Sequence, residues 1–304
     1  MRIASHAPSR SAGLRAWVVC LGCGLALFTV MGLGVNAFTV YQPYLLRVHG
    51  FTNAQGSWIT TVRSLFALLS MLTVDRLCRR PGLRNTMVLG MACFVGSYLL
   101  FGFARGFSAY CGGAVLSGLA YGYGGMIPLT LVISRWFPTG RGFALGMAAA
   151  GSGISTIFAP PLITGAIQAL GLSAAFLWEA AAGVLLTLLV LLLVRDSPDC
   201  PELQRAGDSA PGGRGEGLSR PLLGMVLLSA FLTGGPCGPG FSHLTVLYTS
   251  AGFSSGTAAL LMSYLGLVLI AAKVLYGWLS DRLGSRMANS LIFGVFLAGF
   301  ALCC

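Results

Sequence analysis

Three ionisable side chains stand inside long apolar runs of this sequence: Lys273 in AAKVLYG, Arg63 in TTVRSLF and Glu179 in FLWEAAAG. A charge so placed costs several kcal/mol unless it faces water or a partner, so each marks a place where charge can be used away from bulk solvent. Lys273, the sole lysine of the chain, is either a site for an anion or a cation whose stem lies along apolar surface while its head reaches an interface. Arg63, about 9 Å from the end of its run, is either a second positive group facing a cavity or the partner of a carboxylate. Glu179 is either a proton site or that partner. His243 in FSHLTVLY is of a type that titrates near neutral pH and is the other candidate for proton coupling, against the plainer reading of a packed histidine. With Tyr41, Gln42, Tyr44, Tyr248 and Tyr264 it could supply hydrogen bonds along a path, although interfacial aromatics account for many tyrosines.

A second kind of chemistry is offered by LYGWLSDRLGSRMA, residues 275 to 288, where an apolar stretch breaks into an Asp-Arg pair, a glycine and a second arginine and then turns apolar again. A carboxylate at a helix terminus can pair with basic side chains or with the ends of neighbouring helices, making a contact that closes one conformational state and opens in another. Asp281, Arg282 and Arg286 are the candidates here, with Gly277 one turn earlier. The plainer reading is that the arginines only anchor helix ends.

The elements that must hold these groups are membrane helices. Of all residues 56% are hydrophobic and 9% charged, and the mean hydropathy is +0.81, which excludes a water-soluble domain of this length. Apolar runs of about 20 residues, enough to cross a hydrocarbon core, recur along the chain. They predict nine spans, at 16 to 44, 57 to 74, 85 to 104, 108 to 133, 142 to 168, 172 to 194, 221 to 248, 256 to 279 and 287 to 304. With the N-terminus inside, arginines 2, 10, 15, 76, 79, 80, 84, 135, 141, 195, 205, 214, 220, 282 and 286 fall on the cytoplasmic side, and only Arg47 and Arg105 fall outside. Fifteen against two is the positive-inside bias, and it predicts a cytoplasmic N-terminus. The net charge of +11 is therefore topogenic and calls for no nucleic acid. The nine cysteines are scattered, and the pair in CLGC, Cys20 and Cys23, lies within the first span; buried thiols are the ordinary reading, with no metal, disulfide or cofactor implied. No spacing sets nucleophile, base and orienting group together and no phosphate loop occurs, so an enzyme is not expected.

DRLGSR at 281 to 286 has a relative in DRLCRRPGLR at 75 to 84, again directly after an apolar span, and the two aspartates are 206 residues apart. HGFTNAQGS (49 to 57) and AGFSSGTAA (251 to 259) echo each other before the same two spans. The chain thus reads as a duplication: residues 1–194 as a six-helix N-terminal domain, 195–220, rich in Pro, Gly, Ser and charge, as a solvated cytoplasmic linker, and 221–304 as the first three helices of a second domain.

Parallel repeats joined by a long loop, with GWLSDRLGSR in the second, resemble the major facilitator superfamily. Gly277, Asp281, Arg282, Gly284 and Arg286 carry the likeness; in the first copy Met71 and Cys78 replace the glycines, and Asp75, Arg76, Arg79 and Arg80 remain. The resemblance implies an all-α polytopic fold of two six-helix bundles, here about nine helices of an expected twelve, and hence a chain lacking its C-terminal part. ISRWFPTGRGFALGMAAAGSGISTIFAPPL, residues 133 to 162, is similar to a run in the bacterial oxalate:formate antiporter and monocarboxylate transporter group. Arg135 and Arg141 bracket its turn, Arg135 joining the cytoplasmic gate, and Gly142, Gly146 and Ala150 recur every four residues with Gly151 and Gly153 close by, a spacing that lets helices approach. The Pro160-Pro161 pair is expected to bend or end its helix. Members of the group carry a basic residue four positions before the glycine of Gly277, and it binds the substrate carboxylate; by that likeness Lys273 is the anion site, with Arg63, Tyr41, His243 and Tyr264 as further binding candidates. The expectation is a monomeric plasma-membrane transporter of small organic anions working by alternating access, as a proton symporter or exchanger. The alternatives are a drug or other-solute exporter and a non-transporting sensor of the same fold.

Overall fold

The computed structural model describes residues 10–79, 82–137, 139–195 and 220–303; the linker's residues 196–219 and Arg80 lie outside the described residues. Every described element is a helix. The first span is one continuous rod: α1 (Arg10–Leu27) passes through a ten-residue π-helical stretch, Phe28–Ala37, into α2 (Phe38–His49). It is longer than the apolar run because its ends carry polar residues that hydropathy leaves out. Then follow α3 (Asn53–Arg79), α4 (Leu83–Phe103), α5 (Phe107–Gly124), α6 (Met126–Trp136), α7 (Arg141–Leu170), α8 (Leu172–Leu193), α9 (Arg220–Ser250), α10 (Ser255–Leu283) and α11 (Ser285–Cys303).

Among the described residues seven helical spans are long and apolar enough to cross a membrane. Short links, several turning on a glycine of positive φ, set successive spans antiparallel. One departure from the expected spans has a local cause. The fourth span breaks at Gly125, whose extended backbone (φ −87°, ψ −151°) separates α5 from α6 just ahead of Pro128. The Pro160-Pro161 pair does not end α7, which continues to Leu170.

The echo between HGFTNAQGS and AGFSSGTAA is a helix start used twice. Gly50 and Gly252 both take positive φ, at 64° and 93°. Two residues on, Thr52 Oγ1 accepts from the Gln55 N–H (3.2 Å) while Gln55 Oε1 accepts from the Thr52 N–H (2.9 Å), a reciprocal capping box. In the second copy Ser254 Oγ accepts from the Thr257 N–H at 3.1 Å. Ser254→Ala is therefore expected to cost about 1 kcal/mol, seen as a lower midpoint of thermal unfolding in detergent, and an unchanged midpoint would show that the cap carries no weight.

The core of the first six spans is aromatic towards the end that carries the link between α2 and α3, where Tyr41, Phe94, Tyr98, Phe101, Tyr110 and Phe176 are fully buried. The opposite surfaces of α3, α8 and α10 expose leucines, such as Leu72, Leu185, Leu192 and Leu260, the composition of a lipid-facing surface. The tightest contact between the first six spans and the last three is α7 against α10. A Cβ on Gly277 would overlap the Gly142 carbonyl oxygen, one on Gly146 would meet the Lys273 carbonyl oxygen at 2.6 Å, and one on Gly153 would meet Ile270 Cγ1 at 2.6 Å. These glycines let the two backbones touch. Ala150 is buried on the same helix, while Gly151 turns the other way, against Gly24 of α1.

Candidate functional site

A cavity of about 910 Å³ lies between α3, the π-helical stretch, α5 and α9. Its polar lining is Asn36, Ser57, Thr60, Thr61, Ser64, Tyr121 and His243 with Arg63; Met31, Val35, Leu68, Met71 and Phe241 supply the apolar part. Arg63 is 7% exposed, its guanidinium carbon lies 5.4 Å from the centre of the Phe38 ring, and its Nη1 has no hydrogen-bond partner among the described residues. A guanidinium held on an aromatic face with a free N–H is prepared to take a carboxylate or another planar anion. No carboxylate is among the described residues that line the cavity.

Two contacts join α2 to α9, one of them through His243 of the lining. Gln42 Nε2 donates to His243 Nδ1 (3.2 Å), and Thr245 Oγ1 to Thr39 Oγ1 (3.3 Å). Asn36, on the π-helical stretch, donates to Thr156 Oγ1 of α7 at 2.8 Å. Neither Asn36 nor Phe38 stood out in the sequence, yet an amide at the end of an apolar run (GLGVN) was the signal for the first.

Lys273 is outside this lining. Half-buried on α10, it donates across the seam to Ser152 Oγ (2.5 Å) and to the Ala149 carbonyl (3.4 Å) of α7. Further along, Ser263 Oγ donates to the Ile157 carbonyl at 2.6 Å. At the other end of the seam the Asp281 carboxylate accepts the backbone N–H groups of Gly142 (2.9 Å) and Phe143 (2.7 Å), so an anion of one half sits on the positive end of a helix of the other. Arg282 lies over the Trp278 ring, 4.7 Å from its centre, and Arg286 is exposed.

The first copy of the motif is arranged differently. Asp75 pairs with Arg79 of its own helix (3.0 Å), both about two-thirds exposed, with Arg76 and Arg135 also at the surface. Met71 occupies the place that Gly277 has in the second copy, and it lines the cavity.

Glu179 is completely buried in α8. Tyr41 donates to its Oε2 at 2.6 Å, and its Oε1 has no partner among the described residues. Two expectations are corrected here. Glu179 and Arg63 form no ion pair among the described residues; Tyr98 is within electrostatic reach of both. Tyr264 faces outward from α10, 67% exposed. It falls midway between Met262 and Gly266, and at helical periodicity that turns it to the side opposite the stripe of Ala258, Met262 and Gly266 that α10 buries.

These features define a polytopic helical membrane protein with a polar cavity lined by α3, the π-helical stretch, α5 and α9. Residues 23–304 match the Major Facilitator Superfamily, and the chain belongs to that superfamily. It is 24% identical to the MFS-type transporter pynF of Aspergillus niger, over 93% of this chain and 65% of that protein. To monocarboxylate transporter 12 of Rattus norvegicus it is 25% identical, over 95% and 65%. To the oxalate:formate antiporter of Oxalobacter formigenes it is 28% identical, over 56% and 41%. The chain thus spans about 65% of the length of the first two relatives. A crystal structure of a D-xylose-proton symporter shares the fold, with a TM-score of 0.65 at 15% identity over 88% of this chain and 68% of that one.

Proposed function

We propose that this protein is a secondary transporter of small organic anions, mono- or dicarboxylates, working by alternating access in the plasma membrane with its N-terminus and the 195–220 loop in the cytoplasm. The observation that carries the reading is the buried Arg63 guanidinium with a free N–H at a cavity whose lining comes from both halves and, among the described residues, includes no carboxylate. Likeness to a monocarboxylate transporter and an oxalate:formate antiporter supports the same class of substrate. In this reading 1–194 and 221–304 move as two bodies. Asp281 on the N-terminus of α7 acts as the cytoplasmic latch, and Arg63 neutralises the anion in the cavity. Lys273 contributes a second positive charge, which must leave Ser152 to reach a substrate.

The test is initial uptake of a panel of labelled carboxylates into proteoliposomes, with protein amount matched. Saturable uptake of at least one carboxylate is expected, and its absence across the panel would overturn the anion reading. Lys273→Gln is expected to slow that uptake about tenfold or more, whereas Lys273→Arg, which keeps the charge but presents a planar fork, should keep part of it. Wild-type rates in Lys273→Gln would show that the lysine serves only to hold α10 against α7.

A further inference from the structure

We propose that Glu179 is a proton-binding site and that its protonation is relayed to the cavity by a single turn of α2. A carboxyl group with no exposed surface, one hydrogen bond and no basic group at ion-pair distance among the described residues lacks what an ionised carboxylate needs in a protein interior. As a neutral acid it needs much less. Its titratable neighbours are phenols: Tyr41 of α2, bonded to it, and Tyr98 of α4, whose hydroxyl donates to the Leu33 carbonyl at 2.9 Å. Arg63 of α3 makes no ion pair with Glu179 among the described residues. The arginines of α1 and α7, Arg10, Arg15 and Arg141, are at the other end of the bundle.

What makes this acid more than a buried oddity is the turn that Tyr41 belongs to. Within residues 38–42, Phe38 lies under the Arg63 guanidinium, Thr39 accepts from Thr245 of α9, Tyr41 donates to Glu179, and Gln42 donates to His243 of α9. One turn of helix therefore touches the buried acid, the cavity's arginine and the opposite half. The helix is irregular on both sides of it. Before it runs the π-helical Phe28–Ala37, a departure from the α-helical ladder, and Pro43 follows it and removes a ladder bond. When Glu179 loses its proton, a carboxylate in this setting draws the Tyr41 hydroxyl more strongly and seeks further donors. The turn moves with Tyr41, and Phe38, Thr39 and Gln42 carry the movement to Arg63 and to α9. The proton comes from and returns to solvent, and no other bond is made or broken.

Protonation is read without any substrate by infrared spectroscopy of the protein in lipid nanodiscs. Glu179→Gln should delete a carbonyl stretch of a protonated carboxyl group present at neutral pH. Tyr41→Phe should shift that band to higher frequency, since it removes the hydrogen bond to Oε2. A spectrum of Glu179→Gln identical to wild type in that region would overturn the proton site. The relay rests on the anion reading and is tested with benzoate, which stays ionised between about pH 5.5 and 8.5. Wild-type affinity should change about fivefold or more over that interval. It should be flat within about twofold in Glu179→Gln and in Gln42→Leu, the latter keeping the infrared band. His243→Gln, which can still bond Gln42 but does not titrate, should keep the pH dependence. A pH response that survives in Glu179→Gln and vanishes in His243→Gln would assign the proton to the imidazole and overturn the proposal, and one that survives in Gln42→Leu would overturn the relay. If benzoate binds at no pH, the anion reading and the relay both fall, and the infrared result still decides Glu179.

Discussion

Replacing Arg63 by glutamine is expected to weaken carboxylate binding about a hundredfold or more while leaving the empty protein at least as stable. The two effects have one cause. In the interior of the bundle the guanidinium is 7% exposed and its Nη1 has no partner among the described residues. Holding such a charge costs free energy in the absence of an anion, and the contact with Phe38 offsets only part of that cost. A bound carboxylate repays it, since removing one member of a buried, hydrogen-bonded charge pair typically costs about 2–5 kcal/mol. Glutamine retains a hydrogen-bond donor without the charge. Arg63→Lys should fall between the two, because an ammonium keeps the charge but loses the planar fork. Isothermal titration with benzoate and thermal unfolding in detergent read the two effects separately. Wild-type affinity in Arg63→Gln, or a stability loss as large as the affinity loss, would mean that Arg63 supports packing and not a ligand.

The second large effect is steric. Gly277→Val is expected to cost about 3 kcal/mol or more. Its Cβ would overlap the Gly142 carbonyl oxygen and come within 3.3 Å of the Gly146 Cα. These obstacles are backbone, which cannot swing aside as a side chain can, so α7 and α10 must separate. Separation in turn breaks the two N–H contacts of Asp281 and stretches the bonds of Lys273 to Ser152 and Ala149. The matched control is Met71→Val, at the corresponding place in the first copy, where Asp75 pairs with Arg79 in its own helix; it should change stability by less than about 1 kcal/mol. Fluorescence-detected gel filtration after heating gives the comparison, and equal losses at the two positions would show that the glycine seam is not what holds the halves together.

Much of the fold was legible because a membrane helix announces itself by an apolar run of sufficient length, and the links between runs are short. What hydropathy misses are the polar extensions, as in the first rod's reach from Arg10 to His49, and breaks inside a run. The break at Gly125 was written in YGYGGMIP, where paired glycines precede a proline, but no apolar count responds to it. The residues of the candidate site were legible as types, since Arg63, Glu179 and Lys273 are conspicuous among aliphatic neighbours. Their partners were not. That Glu179 meets Tyr41, that Lys273 meets Ser152, and that Asp281 meets the amides of Gly142 and Phe143 are choices of tertiary packing between residues more than a hundred positions apart. The pairing of Glu179 with Arg63, one of the two alternatives, does not form among the described residues for the same reason, because opposite charges in neighbouring runs do not say which partner each meets. Periodicity could have warned about Tyr264, which is off the stripe of Ala258, Met262 and Gly266 that α10 buries.

The measurement that bears most directly on an anion site at Arg63 is photocrosslinking with a benzophenone carboxylate, mapped by mass spectrometry on the protein in nanodiscs. Modified residues are expected within 57–71 of α3 and 241–243 of α9, with labelling that is competed away by excess benzoate and little labelling in Arg63→Gln. Labelling confined to lipid-facing positions such as Leu72 or Leu192, or equal labelling of the cavity in Arg63→Gln, would contradict it.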